Sequence, residues 1–181
     1  MKVQRLEIPE LLLLEPKVFG DARGFFFEAY NRRTFREATG LDVDFVQDNQ
    51  SQSVRNVLRG LHYQVRQAQG KLVSVIAGQI FDVAVDLRRS SPTFGKWVSV
   101  LLSAGTPRTI WVPPGFAHGF LVVSDQALVL YKTTDYYAPE HERTLLWNDP
   151  ALGIAWPLEG EPLLSDKDRR GVPLARAETY A

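Results

Sequence analysis

The chain has 181 residues with 21 basic and 21 acidic side chains, so its formal net charge is zero. That size suits one domain spanning residues 1–181, and that balance gives no overall pull toward nucleic acid or an anionic membrane. There is no cysteine, and the histidines are His62, His118 and His141, which excludes disulfides, thiolate nucleophiles and cysteine-ligated metals.

Near the N-terminus, the apolar run at residues 11–14 is closely bracketed by Pro9, Glu10, Glu15 and Pro16. It is too short to span a membrane and wrongly flanked for a signal peptide, so a cytoplasmic protein is expected. Asn31 is placed to cap a short helix that turns Phe35 and Ala38 inward and ends at Gly40. Residues 57–65 read as a strand. Residues 72–76 and 80–85 flank Gly78 and read as a hairpin. Residues 94–102 and 108–112 are further strands, parted by Gly105 and Pro107. Residues 120–123 and 127–131 flank Ser124-Asp125 and read as a second hairpin. From Asp149 onward, Pro150, Gly153, Pro157, Gly160, Pro162, Gly171 and Pro173 predict an irregular tail wrapped on the body. Short strands with regular Gly and Pro punctuation predict an antiparallel sandwich or barrel. No strand alternates with a long helix, which argues against a Rossmann-type sheet, and no Gly-rich phosphate loop is present.

Chemistry-bearing residues cluster in a few segments. Leu58-Arg59-Gly60-Leu61-His62-Tyr63-Gln64 places an arginine and a histidine on one strand. A strand histidine is more often structural than catalytic, but a core strand does not tolerate buried Arg and His without partners. Strict alternation points Arg59 and His62 to opposite faces, so a shared pocket requires either a bulge at Gly60 or an Arg59 that precedes regular pairing, and a local irregularity is expected there. In Pro113-Pro114-Gly115-Phe116-Ala117-His118-Gly119-Phe120 a rigid turn aims His118 along a new strand; the plain alternative is a turn with a hydrogen-bonded histidine. The two segments together resemble the paired signature motifs of cupin barrels, many of which hold a metal with three His and one Glu. Here Gln64 stands where a second His would follow His62, Lys71 lies where a carboxylate would be sought, and His141 falls in an expected loop. Two histidines without a third ligand make a poor transition-metal site, so a barrel without metal or cofactor is expected. Tyr131 ends a strand, where packing is the plain role, although a phenol with a tuned pKa can act as acid or base. Arg23 and Glu28 bracket Phe25-Phe26-Phe27; Arg23 could fork onto phosphate oxygens and Glu28 could hold a hydroxyl or base edge, against the simpler reading of a surface ion pair. Gln47-Asp48-Asn49-Gln50-Ser51 is either an ordinary loop or a hydrogen-bonding platform, and residues 164–168 read as a charged loop whose plain role is solvation.

Taken in order, Val18-Phe19-Gly20-Asp21, Arg23-Gly24-Phe25-Phe26-Phe27-Glu28, Val46-Gln47-Asp48-Asn49, Leu58-Arg59-Gly60-Leu61-His62-Tyr63-Gln64, Gln69-Gly70-Lys71, Ser91-Pro92-Thr93-Phe94-Gly95-Lys96-Trp97, Gly115-Phe116-Ala117-His118-Gly119-Phe120, Tyr131-Lys132 and Trp147-Asn148-Asp149 resemble the dTDP-4-dehydrorhamnose 3,5-epimerase family. The likeness covers residues 19–168. It implies a mainly β, cupin-type antiparallel sandwich or jelly-roll barrel with short flanking helices. It implies His62 as the base, Asp168 as its partner, Tyr131 as the acid on the opposite face of the sugar, and Lys71 near the enolate oxygen. It assigns Arg23 and Arg59 to the diphosphate, Glu28 with Gln47, Asp48 and Asn49 to the thymidine, and Tyr137 to stacking on thymine. His118, Glu142 and Lys167 complete the implied pocket. A dTDP-sugar substrate, no cofactor, and a homodimer with an arm of about residues 1–20 at its interface follow from the same likeness.

Such residue types suit the implied chemistry. A ketone at C4 acidifies the hydrogens at C3 and C5, and a neutral imidazole can take one. The enolate needs a nearby cation, and inversion needs a donor on the other face. The competing readings are a single-centre relative, a metal-dependent cupin enzyme and a non-catalytic sugar-binding module.

Overall fold

Alternating and fully apolar short runs, each ended by Gly, Pro or polar turn residues, give a chain built almost wholly of strands. The computed structural model describes residues 1–181. In chain order the elements are β1 (Lys2–Arg5), β2 (Leu12–Glu15), β3 (Val18–Asp21), β4 (Gly24–Phe27), α1 (Arg32–Thr39), β5 (Gln47–Val54), β6 (Leu58–Gln64) and β7 (Lys71–Ala77). They continue with β8 (Gln79–Asp86), β9 (Trp97–Ser103), β10 (Thr109–Val112), β11 (Phe116–Val122), β12 (Gln126–Thr133), β13 (Glu142–Thr144) and α2 (Asp166–Arg169). A six-stranded sheet in the order β1-β2-β10-β7-β12-β5 packs on a five-stranded sheet in the order β13-β6-β11-β8-β9, and β3 and β4 form a separate ribbon. Every pairing between these strands is antiparallel. The expected β-sandwich of the cupin type is therefore the architecture observed. No helix is long and apolar enough to cross a membrane.

Side-chain parity explains why several strands are apolar throughout. On β8, Ile80 and Ala84 face the core between the sheets, whereas Val83 and Val85 face a second cluster under the C-terminal tail. On β2, Leu13 faces the inter-sheet core and Leu12 and Leu14 face a third cluster closed by Phe35 of α1. A strand buried on both faces loses its polar alternation. Helix α1 begins as expected, with the Asn31 side chain accepting from the N–H groups of Arg33 and Thr34. Phe35 is buried in it, while Ala38 is only half-buried.

Three expectations change. The two expected hairpins are corners between sheets: β7 and β12 lie in the six-stranded sheet, β8 and β11 in the five-stranded one. Periodicity marks the strands but does not say whether the chain folds back beside its neighbour or crosses to the facing sheet. The polar stretch at residues 47–51 is part of an edge strand, β5; it lacks hydrophobic alternation because neither of its faces meets the apolar core. Within residues 1–15, β2 is paired on both sides, to β1 and β10. The projecting piece is the β3–β4 ribbon, whose Val18, Phe19, Phe25 and Phe26 are exposed. The tail does lie along the body: Leu152 and Ala177 join the cluster on the outer face of the five-stranded sheet, and the Tyr180 hydroxyl donates to the Gln64 carbonyl at 2.6 Å.

The two corners are stitched together. Ser124 Oγ accepts the Gln79 N–H at 2.8 Å and donates to the Gln126 carbonyl at 2.7 Å. Gly78 sits at φ 77°, where a Cβ would stand 1.9 Å from that same Gln126 carbonyl oxygen. Gly78→Ala is expected to destabilise the fold by about 3 kcal/mol, from left-handed strain plus a backbone clash, read as a lowered urea midpoint at unchanged slope.

Candidate active site

A cavity of about 340 Å³ opens between the sheets. The six-stranded sheet contributes Gln47, Asn49 and Ser51 from β5, Lys71 from β7 and Tyr131 from β12; the five-stranded sheet contributes Arg59 and His62 from β6, His118 from β11 and Glu142 from β13. Tyr137 and Lys167 complete it. His62 and Tyr131 thus face one cavity from opposite sheets.

Arg59 and His62 share the cavity because β6 is irregular between them. His118 pairs with His62 in register and Phe120 with Arg59, so two steps on β11 match three on β6. Gly60, at φ 123°, absorbs the extra residue, and a Cβ there would come 2.6 Å from Gly119 Cα. The expected irregularity is a bulge that re-aims one side chain. On β5 the alternation is regular. Gln47, Asn49 and Ser51 face the cavity, and Ser53 Oγ accepts from Arg59 Nε at 2.9 Å. Asp48 therefore points away; its carboxylate accepts from Lys132 Nζ at 2.9 Å and 3.0 Å.

Behind His62 lies Asp168, on α2, only 2 % exposed. Its Oδ1 is 2.6 Å from His62 Nε2 and accepts the Gly60 N–H at 3.2 Å, while its Oδ2 accepts from Ser165 Oγ at 2.6 Å. Burial works to raise the Asp168 pKa, but His62, Ser165 and the Gly60 N–H together hold it down at about 2. An ionised carboxylate beside Nε2 fixes the proton there and leaves the Nδ1 lone pair as the basic site. Burial also draws the His62 pKa below the usual histidine value, by more than its bond to Asp168 raises it. The ring is thus neutral at pH 7 and equipped to accept a proton.

Lys71 is buried, with Nζ donating to the His62 carbonyl at 3.3 Å. Burial lowers its pKa to about 8, against the opposing pull of Glu142 and Asp82. Burial raises the Tyr131 pKa, partly countered by Arg59, so its hydroxyl keeps its proton. His118, beside His62 across the strands, turns Nε2 onto both oxygens of the fully buried Asp82, at 3.0 Å and 2.9 Å. Glu142 accepts from the Tyr137 hydroxyl at 3.0 Å and from Lys167 Nζ at 2.8 Å.

Arg23 and Glu28 do not reach the cavity within one chain. Arg23 pairs with Asp21 at the tip of the ribbon, and Glu28 accepts from Asn31 and Thr34 beside α1. Sequence reasoning assigned no role to Asp82 or Ser165 and took Ser51 only as the end of a polar run. Ser51 Oγ is buried on the cavity wall with no partner; the row of polar residues at every second position of β5 was the signal. For Asp82, a carboxylate amid the apolar residues of β8 was the signal. No three His, Asp or Glu side chains are grouped so as to hold a metal ion, and the Gln64 amide is bonded to the backbone, accepting from Ala138 N–H and donating to the Gln67 carbonyl.

Comparison with known proteins identifies the family. The sequence profile described as dTDP-4-dehydrorhamnose 3,5-epimerase matches residues 5–176. The dTDP-4-dehydrorhamnose 3,5-epimerase of Pseudomonas aeruginosa is 63% identical over 180 residues, covering 99% of both chains. That of Shigella flexneri is 55% identical over 181 residues, again with 99% of each covered. The crystal structure of dTDP-6-deoxy-D-glucose-3,5-epimerase from Legionella pneumophila Philadelphia 1, in complex with dTDP-4-keto-L-rhamnose, superposes with a TM-score of 0.95 at 51% identity, covering 98% of this chain and 94% of that one. With so much of its length matched at such identity, the chain belongs to the dTDP-4-dehydrorhamnose 3,5-epimerase family.

Proposed function

We propose that the chain inverts C3 and C5 of dTDP-4-dehydro-6-deoxy-D-glucose to give dTDP-4-dehydro-L-rhamnose. The observation that carries this reading is a neutral, carboxylate-backed imidazole and a protonated phenol facing one cavity from opposite sheets, with a buried ammonium beside them. His62 takes the proton from the carbon next to the ketone, and the electron pair of the broken C–H bond moves onto the C4 oxygen. Lys71 stabilises the resulting enolate by setting a buried positive charge beside it. Tyr131 gives its proton to the opposite face of the same carbon, the enolate returns its electrons, and both groups recover their starting forms by exchange with water. A second round at the other carbon completes the reaction. The names of the Pseudomonas aeruginosa and Shigella flexneri relatives favour two centres over one.

Arg59 suits the diphosphate, because its fork meets paired oxygens and Ser53 fixes its Nε edge. Gln47 and Asn49 address the thymidine, with Tyr137 stacked on the base and His118, Glu142 and Lys167 closing the pocket. We infer a homodimer in which each ribbon crosses to the other protomer's cavity and delivers Arg23 and Glu28. The exposed Val18, Phe19, Phe25 and Phe26 support that contact, since a two-stranded ribbon is not stable alone in water. Asp48 holds Lys132 of the neighbouring strand β12 on the outer face of the six-stranded sheet. We infer a cytoplasmic location from the nucleotide-sugar substrate read for the site.

In heavy water the product is expected to carry deuterium at both C3 and C5, and His62→Ala to lose activity by about 10²–10⁴-fold, the worth of a general base; label at one carbon alone would establish a single-centre enzyme. Activity should rise with pH as His62 loses its proton, with an acid limb below about 6.5. It should fall again as Lys71 loses its charge near pH 8, giving a bell whose basic limb disappears in Lys71→Met. Light scattering should report twice the mass of one chain. Arg23→Ala mixed with His62→Ala should recover activity that neither variant has alone, because one site of each hybrid dimer is intact; no recovery would refute the crossed ribbon.

A further inference from the structure

Gln64 occupies the place on β6 where a metal-binding barrel would carry a second histidine, and its side chain is 3 % exposed. Every polar atom of its amide is committed. Oε1 accepts the Ala138 N–H at 3.0 Å, and Nε2 donates to the Tyr136 carbonyl at 3.2 Å and the Gln67 carbonyl at 2.7 Å. The Tyr136 carbonyl and the Ala138 N–H belong to the two peptide groups on either side of Tyr137. One buried amide therefore grips the backbone before and after a single aromatic residue. Tyr137 itself is 52 % exposed, so packing does not hold its ring. Two other contacts steer it: its N–H donates to Gln47 Oε1 at 3.1 Å and its hydroxyl to Glu142 Oε2 at 3.0 Å.

We propose that Gln64 is a positioning residue for the base-binding end of the pocket, acting through Tyr137 by fixing both of its flanking peptide groups. The inference rests on the reading of Tyr137 as the platform for thymine. Pre-organised aromatic platforms bind better because less freedom is lost on association. A mobile Tyr137 would forfeit much of the stacking contribution to nucleotide affinity while leaving His62, Asp168 and Tyr131 in place.

The test measures dTDP affinity by titration calorimetry on wild type, Gln64→Met, Tyr137→Ala and the double variant, with melting curves to verify folding. Gln64→Met is expected to weaken dTDP about tenfold, within the range of a base–aromatic stack, and to raise KM while kcat stays near the wild-type value. In the Tyr137→Ala background the same substitution should change affinity by less than about twofold, the mark of two residues acting as one unit. An equal loss in both backgrounds, or a fall in kcat at unchanged KM, overturns the proposal. If Gln64→Met does not fold, Gln64→Glu replaces it under the same criteria, since it keeps the acceptor and size but removes both donor bonds. A wild-type protein that does not bind dTDP at all would sink the nucleotide reading itself, and this proposal with it.

Discussion

A carboxylate cut off from water, Asp168, holds the chemistry of this protein in place. An ion at that depth costs several kcal/mol unless its lone pairs are filled. Here an imidazole, a hydroxyl and a backbone N–H fill them. The same three bonds reach into three parts of the chain. Ser165 caps the short helix that carries Asp168, Gly60 is the bulge of β6, and His62 is the proposed base. Electrostatics and backbone geometry are thus one problem with one solution. The carboxylate needs the bulge for its N–H, and the bulge is what lets Arg59 and His62 address a single cavity.

Sheet topology supplies the other requirement, two walls. Were the β7–β8 and β11–β12 connections simple hairpins, Lys71 and Tyr131 would not be separated from His62 by the width of a sandwich. The corners at Gly78 and Ser124 each carry the chain from one sheet to the other, so a hexose held between them meets different side chains above and below. Each wall has its own buried support. Asp168 backs His62 and Asp82 backs His118 on one sheet, while Lys71 stands on the other, where burial keeps it only weakly attached to its proton.

Much of this was legible in the sequence, and the failures have physical causes. Strand positions, the Asn31 cap and the Gly60 irregularity are local properties, written in residue type and spacing. Ordered motifs named the family and brought ten of the expected residues to one cavity. Partner choice between strands is not local, and the hairpin readings failed for that reason. Strand β5 was hard to see because it lines a wet cavity on one face, so the apolar signal that marks a strand is missing. Its alternation also decides the fate of Asp48, which faces away between two residues that face in. Arg23 and Glu28 lie on a ribbon whose place in an assembly no single chain can specify.

The bond between His62 and Asp168 joins residues separated by 106 positions in sequence. As the polypeptide leaves the ribosome, the imidazole emerges long before the carboxylate that gives it its tautomer. Closing so long a loop is slow compared with forming neighbouring strand pairs. A nascent barrel can therefore assemble most of its sheets and still lack a competent base, which is complete only when the segment carrying Asp168 has docked.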